Sequence, residues 1–253
     1  MRITVLGKSP SWQDAGGACS GYLVEEQGYR LLVDCGNGVF GKLRRFVEYA
    51  DVDAVVISHL HADHFLDLVP FAYALTHGPR RPPSPPELHA PPGARDTIRR
   101  VVGAWGNDDL VESAFALREY DPAAALRAGP LTLRFRPVPH FVPTHAIAIA
   151  PAAGDGGRFV FGADCGPSEA LSEFARDADL LVVEATLLQP EADGPRGHLT
   201  SAEAGELGRR AGARRLVLTH LSDELDAVQA EEQAERAFGG PVEIAREGAV
   251  YEL

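Results

Sequence analysis

Apolar residues along the chain arrive in short runs that alternate with polar positions at a period of two, interrupted by stretches spaced at three and four. "RITVL", "GYLVE" and "YRLLVD" read as strands, "FGKLRRFVEYA" as a helix and "DAVVIS" as the next strand. A second series follows the same order more loosely. In it "LTLRFRPV", "AIAIA", "RFVFGAD", "DLLVVEA" and "RLVLTH" predict strands, and "SEALSEFARDA" and "SAEAGELGRRAGA" predict helices. The two halves look alike in architecture, although no sequence repeat is visible. Between them, residues 77–93, "HGPRRPPSPPELHAPPG", hold too much proline for a helix and predict a surface connection with room for one short strand at "ELHA". Helical spacing resumes at once in "ARDTIRRVVGAW", so residues 1–253 are assigned to one α/β domain.

Charge narrows the choice of partner. With 36 acidic against 24 basic residues the formal net charge is −12, a poor match to any ligand held by neutralising many phosphates, so a small-molecule substrate is expected rather than a long nucleic acid. Cys19, Cys35 and Cys165 form no Cys-x-x-Cys pair and leave one thiol unmatched in any disulfide scheme, which favours a reducing, cytoplasmic setting. The N-terminus "MRITVLGKSP" carries no targeting pattern, and no apolar run is long enough to span a membrane, so no membrane association is expected.

The densest chemistry follows the strand "DAVVIS". In "VVISHLHADHFLD", residues 55–67, three histidines and an aspartate fall within six positions. In extended chain, residues i and i+2 project to one side, so His59 and His61 can face one point. Asp63 reads as an N-cap for the helical pattern "HFLDLVPFAYAL", which Pro70 is expected to bend, and the turn would swing Asp63 and His64 back toward the same point. Two ligand pairs side by side suit two metal ions, whereas three rings at the exit of a buried strand would otherwise each need a separate partner. Imidazole nitrogen with carboxylate oxygen and no thiolate is a zinc-like set, with manganese or iron as alternatives.

His-x-His-x-Asp-His after an apolar strand resembles the metallo-β-lactamase fold superfamily of metal-dependent hydrolases. That resemblance implies a four-layered αβ/βα sandwich and further ligands at the ends of later strands. "RFRPVPH" ends at His140, "RFVFGAD" at Asp164 and "RLVLTH" at His220, in the expected order. By resemblance His59, His61 and His140 hold one ion, Asp63, His64 and His220 the other, and Asp164 bridges them. Two such ions about 3.5–4 Å apart can share a hydroxide and clamp the charge of an in-line displacement, with Asp63 accepting a proton from the water. Asp34, ending the strand in "LLVDCG", matches an aspartate–glycine position of the superfamily. It either orients the ligand loop through hydrogen bonds or merely caps the turn before Gly36.

"EAT" followed by "HLTSAEA" further resembles the ribonuclease Z and cyclic phosphodiesterase branch. There the glutamate orients a histidine that protonates the leaving oxygen, and Glu184 and His198 stand at those positions, while Val183 replaces a histidine. The tRNA-gripping arm of bacterial ribonuclease Z is missing, since only 23 residues separate His140 from Asp164, and "LSDELD" follows His220 where the tRNA processors tend to carry Ser-Arg-Tyr. The expected activity is therefore hydrolysis of a small phosphodiester or cyclic-nucleotide-type substrate by a dinuclear zinc site. The alternatives are a carboxyl ester, thioester or lactone hydrolase, a tRNA 3′-processing endoribonuclease, and an inactive metal-binding module. Relatives in this branch often form homodimers. His77 and His89, flanking the proline-rich stretch, are expected to face solvent. His145 could line the pocket, and Trp12 could stack on a ring or anchor its loop on the surface.

Overall fold

In the computed structural model, which describes residues 1–154, 156–191 and 194–253, the strand runs pair into two seven-stranded sheets. The first contains β1 (Arg2–Gly7), β2 (Gly21–Glu26), β3 (Tyr29–Val33), β4 (Ala54–Val56), β5 (Glu87–Ala90) and β6 (Ala116–Glu119). The second contains β7 (Leu126–Ala128), β8 (Leu131–Val138), β9 (Thr144–Pro151), β10 (Phe159–Phe161), β11 (Leu180–Glu184), β12 (Leu216–Thr219) and β13 (Val242–Ile244). The last strand, β14 (Val250–Glu252), returns to the first sheet and pairs with β1. Both sheets are mixed. The chain runs antiparallel through β1–β2–β3 and β8–β9–β10, and parallel through β3–β4–β5–β6 and β10–β11–β12–β13.

Alternation along each strand sends side chains to two different cores. Leu31 and Val33 of β3 face Phe159, Phe161 and Val182 of the other sheet, while Leu32 between them packs outward. The outer face of the first sheet is covered by α1 (Val39–Leu43), α2 (Ala62–Phe65), α3 (Leu68–His77), α4 (Ala94–Gly103) and α5 (Leu110–Ala114). The outer face of the second is covered by α6 (Glu169–Phe174), α7 (Ser201–Ala211) and α8 (Ala227–Phe238). Helix, sheet, sheet, helix is the four-layered αβ/βα sandwich. Burial on both faces is why the central strands read as nearly unbroken apolar runs.

Several local expectations change. The helix expected over "FGKLRRFVEYA" stops at Leu43, because the chain must turn back for Tyr49 to pack edge-on against Phe40 at 6.1 Å. Pro70 does not bend a helix. It sits in the first turn of α3, where its missing N–H would have had no intrahelical acceptor, and the break falls before it, between α2 and α3. Asp63 is not an N-cap either: His61 occupies that position of α2 and Asp63 lies inside the first turn. The proline-rich stretch does carry its strand, β5, but His89 on it is buried beside Glu87 rather than solvent-facing. His77, at the end of α3, is exposed. Among the described residues no helix is long and apolar enough to cross a membrane, and all three cysteines are buried free thiols.

One polar contact ties the two sheets together near their common edge. Tyr22 on β2 is wholly buried, and its hydroxyl meets the Thr219 hydroxyl at the end of β12 at 2.5 Å. Tyr22→Phe leaves a buried Thr219 hydroxyl unpaired, so unfolding free energy should fall by about 1–3 kcal/mol, read as a lower denaturant midpoint at unchanged slope. An unchanged midpoint would show that the contact contributes nothing to the docking of the sheets.

Candidate metal centre

Six strands deliver polar residues to one edge of the sandwich just where their apolar runs end. Asp34 follows β3, His59 follows β4, His140 follows β8, Asp164 follows β10, Glu184 ends β11 and His220 follows β12. The carboxyl ends of parallel strands are where open α/β sheets place ligands. Reaching this arrangement strains the backbone. Asp34, Ala163 and His220 all adopt left-handed φ, at 56°, 54° and 57°, a conformation uncommon outside glycine and concentrated at functional sites.

The donor atoms form three groups, each with its atoms within 4.8 Å of one another: Glu184, His198 and His220, and two clusters that overlap, His59, His61, His140 and Asp164 in one and Asp63, His64, Asp164 and His220 in the other. Asp164 belongs to both. Its carboxylate lies 3.3 Å from Nε2 of His64 and of His220, 3.8 Å from Nε2 of His140 and 3.9 Å from Nε2 of His59. Asp63 lies 3.3 Å from His64 Nε2 and 3.2 Å from His220 Nε2.

The remote ring nitrogens are tied elsewhere, and this fixes which nitrogen faces the centre. His59 Nδ1 lies 3.0 Å from the Ser58 hydroxyl, His64 Nδ1 2.6 Å from Asp34, His140 Nδ1 2.8 Å from the Gly197 carbonyl and His220 Nδ1 2.8 Å from the Thr186 hydroxyl. His61 is reversed, with Nδ1 inward at 3.0 Å from His140 Nε2. The inward Nε2 atoms of His59 and His64 are buried and have no hydrogen-bond partner, a condition that proteins seldom leave uncompensated. Buried carboxylates facing unpartnered imidazole nitrogens, with no thiolate among them, fit a pair of divalent cations.

Electrostatics point the same way. Burial, together with the charge of His64, pushes His59 well below the usual histidine range, and burial likewise lowers His61 and His140, leaving neutral rings suited to ligation. Burial would raise Asp164, but the charges of His220 and His64 hold it well below the carboxylate range, and Asp63 is lowered against burial by its hydrogen bond with His220 and by the charge of His64. His64 is raised well above its ordinary value despite complete burial, by the charges of Asp164 and Asp34. The carboxylates demand positive charge at this point.

Asp34 does more than cap its own turn. It accepts hydrogen bonds from the Ser58 amide at 2.7 Å, the Ser58 hydroxyl at 2.8 Å and His64 at 2.6 Å, so it links both halves of the ligand loop. Gly36 lets the two loops meet, because a Cβ there would lie 1.7 Å from the Asp63 carbonyl.

Glu184 is an equally dense node. One oxygen accepts from His198 Nδ1 at 2.8 Å and the Cys165 amide at 2.9 Å. The other accepts from the Thr186 hydroxyl at 2.7 Å and the Thr186 and Leu199 amides at 3.1 and 3.2 Å. Burial would lower His198, but this hydrogen bond and the Glu184 charge raise it. His198 does not cap α7. Thr200 does, in a reciprocal box with Glu203 that Arg196 braces at 2.6 and 2.8 Å.

The clusters open into a cavity of about 310 Å³ lined by Ser11, His61, Asp63, Asp164, Thr186, His198 and His220. The loop bearing Ser11 is pinned at both ends, by Lys8 to Asp14 and the Leu221 carbonyl and by Lys42 to Glu247 and the Gly16 carbonyl. Trp12 on this loop stands half exposed rather than packed as an anchor. His145 is buried behind the ligand strand, its amide on the Ser58 carbonyl and its ring 3.2 Å from the Tyr120 hydroxyl, and it does not line the cavity. Sequence reasoning missed Ser58, Thr186 and Ser11. Thr186, inside the quoted "EAT", and Ser58, inside "VVISHLHADHFLD", stood in quoted stretches that could have drawn them in.

Comparison with known proteins matches residues 29–221 to the Beta-lactamase superfamily domain. The chain is 33% identical to a Bacillus subtilis protein named Probable metallo-hydrolase YhfI, over the whole of both chains, and the YhfI crystal structure superposes with a TM-score of 0.88, covering 100% of this chain and 99% of that one. It is 32% identical to Ribonuclease Z of Myxococcus xanthus over 100% of this chain and 98% of the relative. Human tRNase Z, short form, has the same fold, with a TM-score of 0.76 at 22% identity, covering 100% of this chain and 99% of that one.

Asp34→Asn replaces an acceptor facing His64 with an amide and should weaken divalent metal binding by roughly 10- to 100-fold, the usual effect of losing a partner that orients a ligand. Competition against a chromogenic chelator measures this, and unchanged affinity would remove Asp34 from any part in the site.

Proposed function

The chain belongs to the Beta-lactamase superfamily domain family and is a metallo-hydrolase of the metallo-β-lactamase fold, and from that premise we propose that it is a zinc-dependent phosphodiesterase acting on a small phosphodiester or cyclic-nucleotide-type substrate. His59, His61 and His140 would hold one ion and Asp63, His64 and His220 the other, with Asp164 between them. When bound, the ions supply an activated water and neutralise charge developing on phosphorus.

The observation that carries the phosphodiester reading is the Glu184–His198 pair beside the ligand clusters. An alkoxide leaving group departs poorly without a proton. Glu184 holds the proton of His198 on Nδ1, and its charge favours the imidazolium, so the other ring nitrogen can give a proton to an oxygen in the cavity that His198 lines. Asp63, a carboxylate lining the same cavity, would be the group that takes a proton from the attacking water. An ester or lactone hydrolase has less need of so strongly supported a donor.

A tRNA-processing activity is the second reading, favoured by the likeness to Ribonuclease Z. Against it, that alignment runs over 307 positions for a chain of 253 residues, while the one with YhfI runs over 261, so Ribonuclease Z carries insertions that this chain lacks. The chain between β9 and β10 is a short hairpin connection, and the net charge is −12.

Elemental analysis of protein purified without chelator should give close to two zinc equivalents, and one or none would remove the bridging role from Asp164. Bis(p-nitrophenyl) phosphate should be cleaved while tRNA precursors are poor substrates, and efficient removal of a tRNA 3′ trailer at moderate salt would overturn the small-substrate reading. His198→Ala should keep its metal and lose roughly 10²- to 10⁴-fold on an alkyl phosphodiester, with a much smaller loss on a p-nitrophenyl ester that leaves unaided. Equal losses on both, or loss of metal, would assign His198 another role.

A further inference from the structure

We infer that Phe141 is a specificity-determining platform on which the planar ring of the substrate's leaving half, a nucleobase or an aryl group, stacks. This rests on the phosphodiesterase reading and on the placement of His198 within it.

The rings at this edge form a row. His220 and His198 lie nearly parallel, 5.7 Å apart at 15°, and Phe141 follows at 5.8 Å from His198 and 5.1 Å from His140. The row therefore runs from a ligand cluster, past the proton donor, to an exposed aromatic ring. A leaving oxygen that takes a proton from His198 must sit within about 2.6–3.2 Å of it. Whatever that oxygen carries must extend away from the ligand clusters, and Phe141, 5.8 Å from His198 and more than half exposed, is an aromatic ring it can reach.

Phe141 is 53% exposed, yet its ring is held in place. Its backbone follows the fixed His140, and the ring lies over Gly197, where a Cβ would come within 2.3 Å of Cε2. The Gly197 carbonyl is itself the acceptor for His140 Nδ1. An exposed ring fixed beforehand loses little entropy on binding a second ring. Its exposure is not isolated. Of eight exposed large apolar side chains among the described residues, three stand within two positions of a site residue: Trp12 beside Ser11, Phe141 beside His140 and Leu188 beyond Thr186. On a protein of net charge −12 an anionic substrate gains little from the general field, so a contact that does not depend on charge is where added affinity can arise. A planar ring gains more there than an alkyl group of equal area, because stacking adds to burial.

The test uses the zinc-loaded full chain and two pairs of probes that differ only in the base: adenosine 3′,5′-cyclic phosphate against the same cyclic ribose phosphate without a base, and adenosine 5′-monophosphate against ribose 5-phosphate. The first pair is read by kcat/KM and the second, which needs no turnover, by calorimetric Kd. Phe141→Ala and Phe141→Leu should weaken the adenine-bearing member of each pair by roughly 5- to 100-fold, the range seen when a stacking partner is removed. The base-free member should change by less than about twofold, and Phe141→Trp should restore the preference. If the wild-type protein binds adenosine 5′-monophosphate no better than ribose 5-phosphate, or if Phe141→Ala weakens both alike, the platform is overturned. Hydrolysis of both cyclic compounds with no dependence on the base would overturn the platform and leave the phosphodiesterase reading intact. Adenine preference that depends on Phe141, without hydrolysis of either compound, would uphold the platform and overturn that reading.

Discussion

Burying Asp164 among imidazole rings is the constraint around which the rest of this edge is organised. Its carboxylate lies within 4 Å of four histidine nitrogens, Asp63 and Asp34 add negative charge alongside, and two of the facing nitrogens have no hydrogen-bond partner. Removing ionised carboxylates from water costs several kcal/mol each unless positive charge meets them. The rings cannot all supply that charge, since burial holds His59, His61 and His140 neutral. Divalent cations would resolve the conflict, because His59, His61, His64, His140 and His220 offer nitrogen lone pairs and Asp63 and Asp164 offer carboxylate oxygens at the same point.

Holding such a cluster open requires rigidity in the surrounding chain. Asp34 and Glu184 act as two buried anchors, each accepting several hydrogen bonds, one fixing His64 and the Ser58 turn, the other fixing His198 directly and His220 through Thr186. Left-handed backbone at Asp34, Ala163 and His220 adds strain of order 1–3 kcal/mol each, sustained because the strands behind them are packed on both faces. The fold and the site are thus one arrangement: six strands stop at the same edge, and the residue at or just beyond each stop turns inward.

Much of this was legible in the chain because it was local. Period-two runs gave the strands, and His59, His61, Asp63 and His64 announced themselves by spacing alone. His140, Asp164 and His220 became readable only through family resemblance, since nothing local distinguishes a histidine after "RFRPVP" from any other at a strand end. What failed depended on contacts between distant segments. Asp63 looks like a cap, yet His61 takes that position. His89 flanks a proline-rich surface stretch, yet strand pairing carries it indoors. Thr186 and Ser58 are ordinary hydroxyl residues until the fold sets His220 and Asp34 beside them.

The central claim is that two cations replace the missing hydrogen-bond partners around Asp164. Crystallographic anomalous difference maps at the zinc edge, from crystals grown without chelator, test it most directly. Two peaks are predicted, one enclosed by His59, His61 and His140 and one by Asp63, His64 and His220, with Asp164 in contact with both. A single peak that leaves either set without metal, or peaks only elsewhere on the surface, would contradict the account.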